Sequence, residues 1–237
     1  RTTRETTVHA AASAGVTPRV AGSEPPALEN EMLGRYDGDI RNQIRQALRR
    51  GLDVQQFVLY GGTPHESTIE AYRRYVPVQA ESYARTGMPP HDMNYWTGLS
   101  DAVQRGGGID IVVLVVDEAG TAVAGVTCHA FQGRAIYWSG ASTAAGKSNR
   151  ANPLALHAAI SSCASLGVTT FELGRFDAME LSDKERSITQ YKAQFRGYRR
   201  PVLNFARPSQ SLWAQLRSLV TSIRSDFNRI VAVAQRG

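Results

Sequence analysis

Lys192 lies one residue beyond Tyr191 and four beyond Ile188, in the stretch Ile188 to Gly197. At helical spacing it borders an apolar stripe of Ile188, Tyr191 and Phe195. Two readings fit that position. The stem can rest on the core while the ammonium snorkels into water. Alternatively the ammonium faces a cleft, where it stabilises the oxyanion formed when an amine attacks an ester or thioester carbonyl. Arg175, after the glycine turn at Gly174, is a second candidate for such a cleft; a salt bridge with Glu172 or Asp177 is its ordinary alternative. Asp177 and Glu180 are carboxylates able to act as a general base, although an acceptor amine can lose its proton to a positioned water.

A second set of residues suits anions. Arg41, Arg45 and Arg49 fall at i, i+4, i+8 on one polar helix face, which is either a solvated face or a phosphate-binding ridge. Lys147 and Arg150 form an anion-facing pair on a loop, with an ordinary solvated loop as the alternative. Arg199, Arg200, Arg217, Arg224 and Arg229 can extend the basic surface. The run Ala141 to Ser148 fits a relaxed phosphate-binding loop. In a true one the lysine and serine open a helix, whereas here Asn149 to Pro153 intervenes, so the match is set aside. His9, His65, His91, His129 and His157 show no metal or triad spacing. His129 and Cys128 are strand neighbours pointing to opposite faces, which argues against a Cys–His dyad.

These residues need elements to position them. Helices are predicted over 27–35 and 39–50, the second closed by Gly51. A strand is predicted over 54–60. Two helices follow, about 66–86 with Pro77 as a kink and about 92–105. A β-meander is expected from strands at 109–116, 122–132 and 134–139, separated by glycine turns. The next helix is expected to have Asn152 as N-cap, Pro153 in its first turn and Leu156, Ile160, Cys163 and Ala164 on one face. A strand at 168–173 and a helix opened by the capping box Ser182–Glu185 come next. Strands at 6–12 and 202–205 and a long helix from Ser209 complete the expectation.

The 237 residues are enough for one large domain or two small ones with a sizeable core. No apolar run is long enough to cross a bilayer, and two cysteines make no disulfide framework or metal spacing. A cytoplasmic location and no integral membrane segment are therefore expected, with no metal. A net charge of +6 favours polyanionic partners such as RNA.

From about Asp39 to Phe205 the chain resembles the Fem-type (FemA, FemB, FemX) aminoacyltransferases within the GNAT-fold acyltransferase superfamily. The matching pieces are Arg41 to Ala47, Tyr137 to Ser142, Pro153 to Ile160, Phe171 to Arg175 and Ile188 to Gly197. The resemblance implies an α/β (α+β) fold: a GNAT-like mixed, mostly antiparallel sheet flanked by helices, with a reduced N-terminal half (residues 1–60), an acyltransferase domain (61–207) and a C-terminal helix (208–237). It implies amide-bond formation, with an aminoacyl group passing from aminoacyl-tRNA to a primary amine of a peptide or peptidoglycan-precursor-like acceptor. Lys192 would then stabilise the oxyanion, with Tyr191 and Arg175 beside it at the catalytic centre. Trp138, Gly174, Asp177 and Phe195 would form the substrate site, and Arg41, Arg45, Lys147 and Arg150 would meet phosphates of the tRNA. No cofactor is implied beyond aminoacyl-tRNA as co-substrate. An acyl-coenzyme A donor is the alternative, set back by the lack of a glycine-rich pyrophosphate loop after the Tyr137 strand. A non-catalytic RNA-binding protein on the same fold is the alternative of another class.

Overall fold

The computed structural model describes residues 17–18, 27–61, 63, 65–174 and 183–200. In chain order the elements are β1 (Thr17–Pro18), α1 (Ala27–Arg35), α2 (Gly38–Arg49), β2 (Asp53–Leu59), α3 (His65–Ala84), α4 (Met93–Arg105) and β3 (Ile109–Val116). They continue with β4 (Ala122–Phe131), β5 (Arg134–Ser142), α5 (Ala144–Ser148), α6 (Ala151–Ser165), β6 (Thr170–Glu172) and α7 (Asp183–Ala193). The six strands form one sheet in chain order. Every neighbouring pair is antiparallel except β5 and β6, which are parallel. This is the expected mixed, mostly antiparallel sheet flanked by helices.

An unbroken apolar run such as Ile111 to Val116 is stable as a strand only when both of its faces are covered. β3 accordingly sits inside the sheet between β2 and β4. Its alternate residues Ile111, Val113 and Val115 join a core with α2 and α6 that includes Ile40, Ile44, Leu154 and Cys163. Val112, Leu114 and Val116 face the other way, into a core with Tyr72, Tyr75 and Val78 of α3 and Trp96 of α4. Burying a large apolar side chain contributes about 1.5–3 kcal/mol, so each face holds its helices by several such terms. Cys128 of β4 and Cys163 of α6 are both buried, with their Sγ atoms 3.7 Å apart.

α6 differs from expectation. It starts at Ala151 with Arg150 as N-cap in the left-handed region (φ 62°), so Asn152 is already in the first turn. The single apolar stripe is replaced by burial nearly all round, including Leu154, Ala155, His157, Ala158 and Ala159. The cause is tertiary: the sheet lies on one side of α6 and α2 packs on another.

Residues through Gly197 belong to one compact unit, and a second begins at Tyr198, of which the structure describes Tyr198, Arg199 and Arg200. The boundary expected at residue 60 falls inside the first unit, because β2 pairs with β3 along its whole length. The strands expected at 6–12 and 202–205, Ser182 and the helix from Ser209 lie outside the described residues. Among the described residues, no helix is long and apolar enough to cross a membrane.

Candidate active site

β5 and β6 pair only where Arg134, Ala135 and Ile136 meet Thr170, Phe171 and Glu172. Beyond that point the chain leaves β6 and turns at Gly174, whose φ of 76° suits glycine, while β5 runs on to Ser142. Two parallel strands that part in this way leave a wedge with unpaired backbone groups on both sides. β5 is also irregular there. Thr127 of β4 pairs with Ser139 and Cys128 with Tyr137, so Trp138 is the extra residue of a bulge.

On the α6 side of the wedge, Tyr137 packs against the core. Its ring lies across Gly140, where a Cβ would come within 1.9 Å of the Tyr137 hydroxyl. Burial, and secondarily Tyr83, pushes the Tyr137 phenol up to about 12. α7 is anchored beside it by aromatic contacts. The Tyr191 and Phe195 rings are 5.5 Å apart, Phe195 and Tyr36 are 4.9 Å apart, and Tyr36 meets His157 edge-on. Burial foremost, then Tyr137 and Tyr36, raises the Tyr191 phenol well above its ordinary value. Phe195, expected in the substrate site, is a core residue with 6% exposure; Ile188, expected in the buried stripe, is exposed.

Lys192 stands next in the helix. Its Nζ is 3.8 Å from where a Cβ would sit on Gly174, so the amine lies over the turn at which β6 ends. The side chain is half-buried, and desolvation lowers its pKa. Lys192 and Gly174 are thus brought together, with Tyr191 holding the helix that carries the lysine. Arg175 and Asp177 lie outside the described residues. Trp138 goes elsewhere: its indole donates to the Tyr95 hydroxyl (3.2 Å) and its ring is 5.3 Å from that of His129, on the α4 side of the sheet. Plain alternation puts it on the face opposite Tyr137, and the bulge shows in the next residue, since Ser139 stays on that face and its hydroxyl accepts from Tyr75 of α3.

The segment after β5 holds α5, in which Lys147 and Ser148 close a five-residue helix instead of opening one. Its amides are already engaged. Thr143 Oγ1 accepts from Gly146 N (3.0 Å), and Glu81 of α3 accepts from Ala144 N (2.7 Å). Gly146 is needed for close approach, since a Cβ there would stand 2.0 Å from the Val123 carbonyl oxygen of β4. Arg50 of α2 donates to the Ser148 carbonyl at 2.7 Å, which places α2 beside α5. Arg45, Arg49, Arg50, Lys147 and Arg150 are all exposed basic residues on α2, α5 and the turn after α5, and Glu118 meets Gly51 at the end of α2. Arg41 is not one of them. Its guanidinium donates to the carbonyls of Gly34 (3.1 Å) and Tyr36 (2.6 Å) and ties down the α1–α2 connection.

On the α4 side a cavity of about 530 Å3 opens between the end of α4 and the β5–β6 pair. Val103, Phe131, Arg134, Ile136 and Glu172 contribute to its walls, as does His129; Lys192 does not. His129 Nδ1 is 3.1 Å from Asp110 Oδ1, and the Tyr72 hydroxyl donates to Oδ2 at 2.8 Å. Asp110 is fully buried. Sequence reasoning missed this trio, and the available signal was the carboxylate inside the apolar run of β3, which had to find buried partners.

A search of curated proteins finds none that matches the chain. Among solved structures, FemX superposes with a TM-score of 0.59 at 14% identity over 72% of this chain and 56% of that one. This chain therefore spans about half the length of FemX. An aminoglycoside acetyltransferase from an uncultured soil metagenomic sample, in complex with trehalose, gives 0.47 at 10% identity over 68% and 97%. L-PGS from Bacillus licheniformis gives 0.43 at 11% over 70% and 55%. At these identities the likeness is one of fold. The sequence adds the family: residues 38–193, from the first residue of α2 to the last of α7, match the model described as an acetyltransferase (GNAT) domain. The parting strands and the lysine helix thus lie within a single family pattern, and the chain belongs to the GNAT acetyltransferase domains.

Proposed function

We propose that the protein makes an amide bond by moving an aminoacyl group from aminoacyl-tRNA to a primary amine on a peptide or cell-wall-precursor-like acceptor, as its resemblance to the Fem-type enzymes implies. The observation that carries the acyl-transfer part is the half-buried Lys192 ammonium at the turn where β6 leaves β5. A cation held in a partly dry site interacts strongly with charge that develops only in the transition state. As the acceptor nitrogen attacks the ester carbonyl, Lys192 takes the oxyanion, Tyr191 holds α7 in place, and Gly174 keeps the approach open. Arg175 and Asp177 belong to the same proposed set.

The donor carrier is argued from α5. A pyrophosphate at the end of β5 would need amides of the following turn, but Thr143 and the Glu81 carboxylate already occupy two of them. Glu81 is itself paired with Arg85 at 3.1 Å, so it is the occupied amides alone that leave a pyrophosphate fewer donors at this turn, which favours an ester on tRNA over coenzyme A. The tRNA phosphates then meet the exposed Arg45, Lys147 and Arg150, while Arg41 holds the α1–α2 connection. The family's description as acetyltransferases favours the acyl-coenzyme A reading instead.

Incubation with a pool of radiolabelled aminoacyl-tRNAs and, separately, with acetyl-coenzyme A decides between them, using a primary amine as acceptor. Consumption of aminoacyl-tRNA alone supports the proposal, and consumption of acetyl-coenzyme A alone replaces it. Binding of tRNA with turnover of neither identifies an RNA-binding protein. Lys192→Ala should lower kcat on the true donor by about 10²–10³-fold while leaving the circular dichroism spectrum unchanged. Undiminished turnover removes the assigned role.

A further inference from the structure

The cavity on the α4 side contains a buried histidine whose second nitrogen is unpaired. The Tyr72 phenol is raised well above its ordinary value, by burial first and by Asp110 second, so it stays protonated and donates to the Asp110 carboxylate. With Asp110 accepting, His129 donates through Nδ1–H, and the neutral ring therefore presents its lone pair at Nε2. That nitrogen is buried and has no hydrogen-bond partner, on a side chain only 10% exposed. A buried acceptor left unpaired costs about 1–3 kcal/mol, a cost that a ligand bearing N–H groups would remove. Asp110 lies on β3, Tyr72 on α3 and the Trp138 ring on β5; Arg134 and Glu172, which pair with each other, are the charged groups facing the same cavity from β5 and β6.

The cavity also ends at the right place. Ile136 and Glu172, the last paired residues of β5 and β6, are among its walls. The strands part immediately beyond them, and Lys192 stands over the turn at Gly174 that follows β6.

We infer that this cavity receives the acceptor amine and that His129 Nε2 is its general base, oriented by Asp110 as a positioning residue that Tyr72 in turn holds. The inference rests on the acyl-transfer reading and deepens it. The amine nitrogen forms the new C–N bond and the ester C–O bond breaks. The nitrogen's surplus proton passes to His129 Nε2 and then to the departing hydroxyl oxygen, while the Asp110 carboxylate faces the imidazolium formed in between. The acceptor is a primary amine with an apolar neighbouring part, since Val103, Phe131 and Ile136 flank the histidine.

The test compares two nucleophiles, with background reaction subtracted. His129→Asn keeps an N–H for Asp110 but has no basic nitrogen. With glycinamide as acceptor, His129→Asn should lose about 10²–10⁴-fold in rate. It should retain the reaction with hydroxylamine, which is already a free base at neutral pH and needs little help. Wild-type rates with glycinamide overturn the inference, and so does equal loss with both nucleophiles. A separate readout uses the wild-type protein with 15N-labelled histidine and follows the His129 ring by NMR. The Nδ1–H tautomer and a saturable shift of Nε2 on adding glycinamide support the inference; the other tautomer or no shift overturns it. Because this readout needs no acyl donor, it stands even if neither aminoacyl-tRNA nor acetyl-coenzyme A is turned over. It also decides the matter if His129→Asn fails to fold.

Discussion

Desolvation of Lys192 has two consequences of opposite sign. Its folded pKa lies below the ordinary lysine value, so between the two values the unfolded chain binds more protons than the native one. Stability therefore rises with pH across that window, and the full penalty is present below it. The ammonium that the proposed mechanism uses for the oxyanion disappears over the same range. With a saturating amine, kcat should fall as pH rises through the lowered lysine value while the melting temperature does not fall with it. In Lys192→Arg that alkaline decline should vanish, because a guanidinium keeps its charge; an unchanged decline would assign it to another group. Tyr137 and Gly140 offer a second test. An alanine Cβ at Gly140 would overlap the Tyr137 hydroxyl, so Gly140→Ala should cost about 1–3 kcal/mol of stability. Gly140→Ala combined with Tyr137→Phe should recover part of it in a denaturant titration; no recovery would show the clash to be relieved elsewhere.

Among the elements, α5 is short enough that its neighbours hold it. A helix of five residues has no cooperative stability of its own; Thr143, Glu81 and the backbone contact at Gly146 supply it. Gly146→Ala would drive a Cβ into the Val123 carbonyl and should lower the melting temperature, by about 2–4 °C per kcal/mol lost in a chain of this size. Thr143→Ala removes the cap and the hydroxyl's bond to the Val123 carbonyl (3.1 Å), and should cost about 1–2 kcal/mol. Equal stability of wild type and Gly146→Ala in calorimetry would mean that α5 can lift from β4 at little cost. The elements around α5 were legible beforehand because their patterns are local. The strands from Ile109 to Ser139 announce themselves by β-branched runs between glycine turns, and the helix after Asp92 by its N-cap, which does accept from Tyr95 N at 2.8 Å. α5 is less legible because, beside its local cap Thr143, it depends on the Glu81 carboxylate 63 residues away in sequence.

For the whole molecule, Arg50 and Ser148 join α2 to α5, and Arg45, Lys147 and Arg150 are exposed on these neighbouring elements and the turn that follows α5. If tRNA docks there, the triple variant Arg45→Glu, Lys147→Glu, Arg150→Glu should weaken binding by orders of magnitude. It should also flatten the slope of log K against log salt by roughly one unit for each phosphate contact removed. Its melting temperature should stay close to wild type, because exposed substitutions of this kind rarely exceed about 0.5 kcal/mol. Filter binding across a salt series reads both quantities, and wild-type affinity at every salt would send the tRNA elsewhere.

By itself the sequence determined most of the elements, the β-meander and the helix that carries Lys192, since each follows from periodicity, turn residues or caps within a short window. The sheet class followed from the family resemblance. The tertiary structure decided which of these residues face one another. One extra residue in β5 leaves Trp138 and Ser139 on the same face, and no alternation pattern reveals an inserted residue in advance. Arg41 turns its Nη1 to carbonyls five and seven residues back, which charge counting does not show. Asp110 meets His129 only because β3 and β4 pair in the register that sets them opposite. A side chain's neighbours across a sheet depend on pairing and packing between distant segments, and that information exists only once the chain has folded.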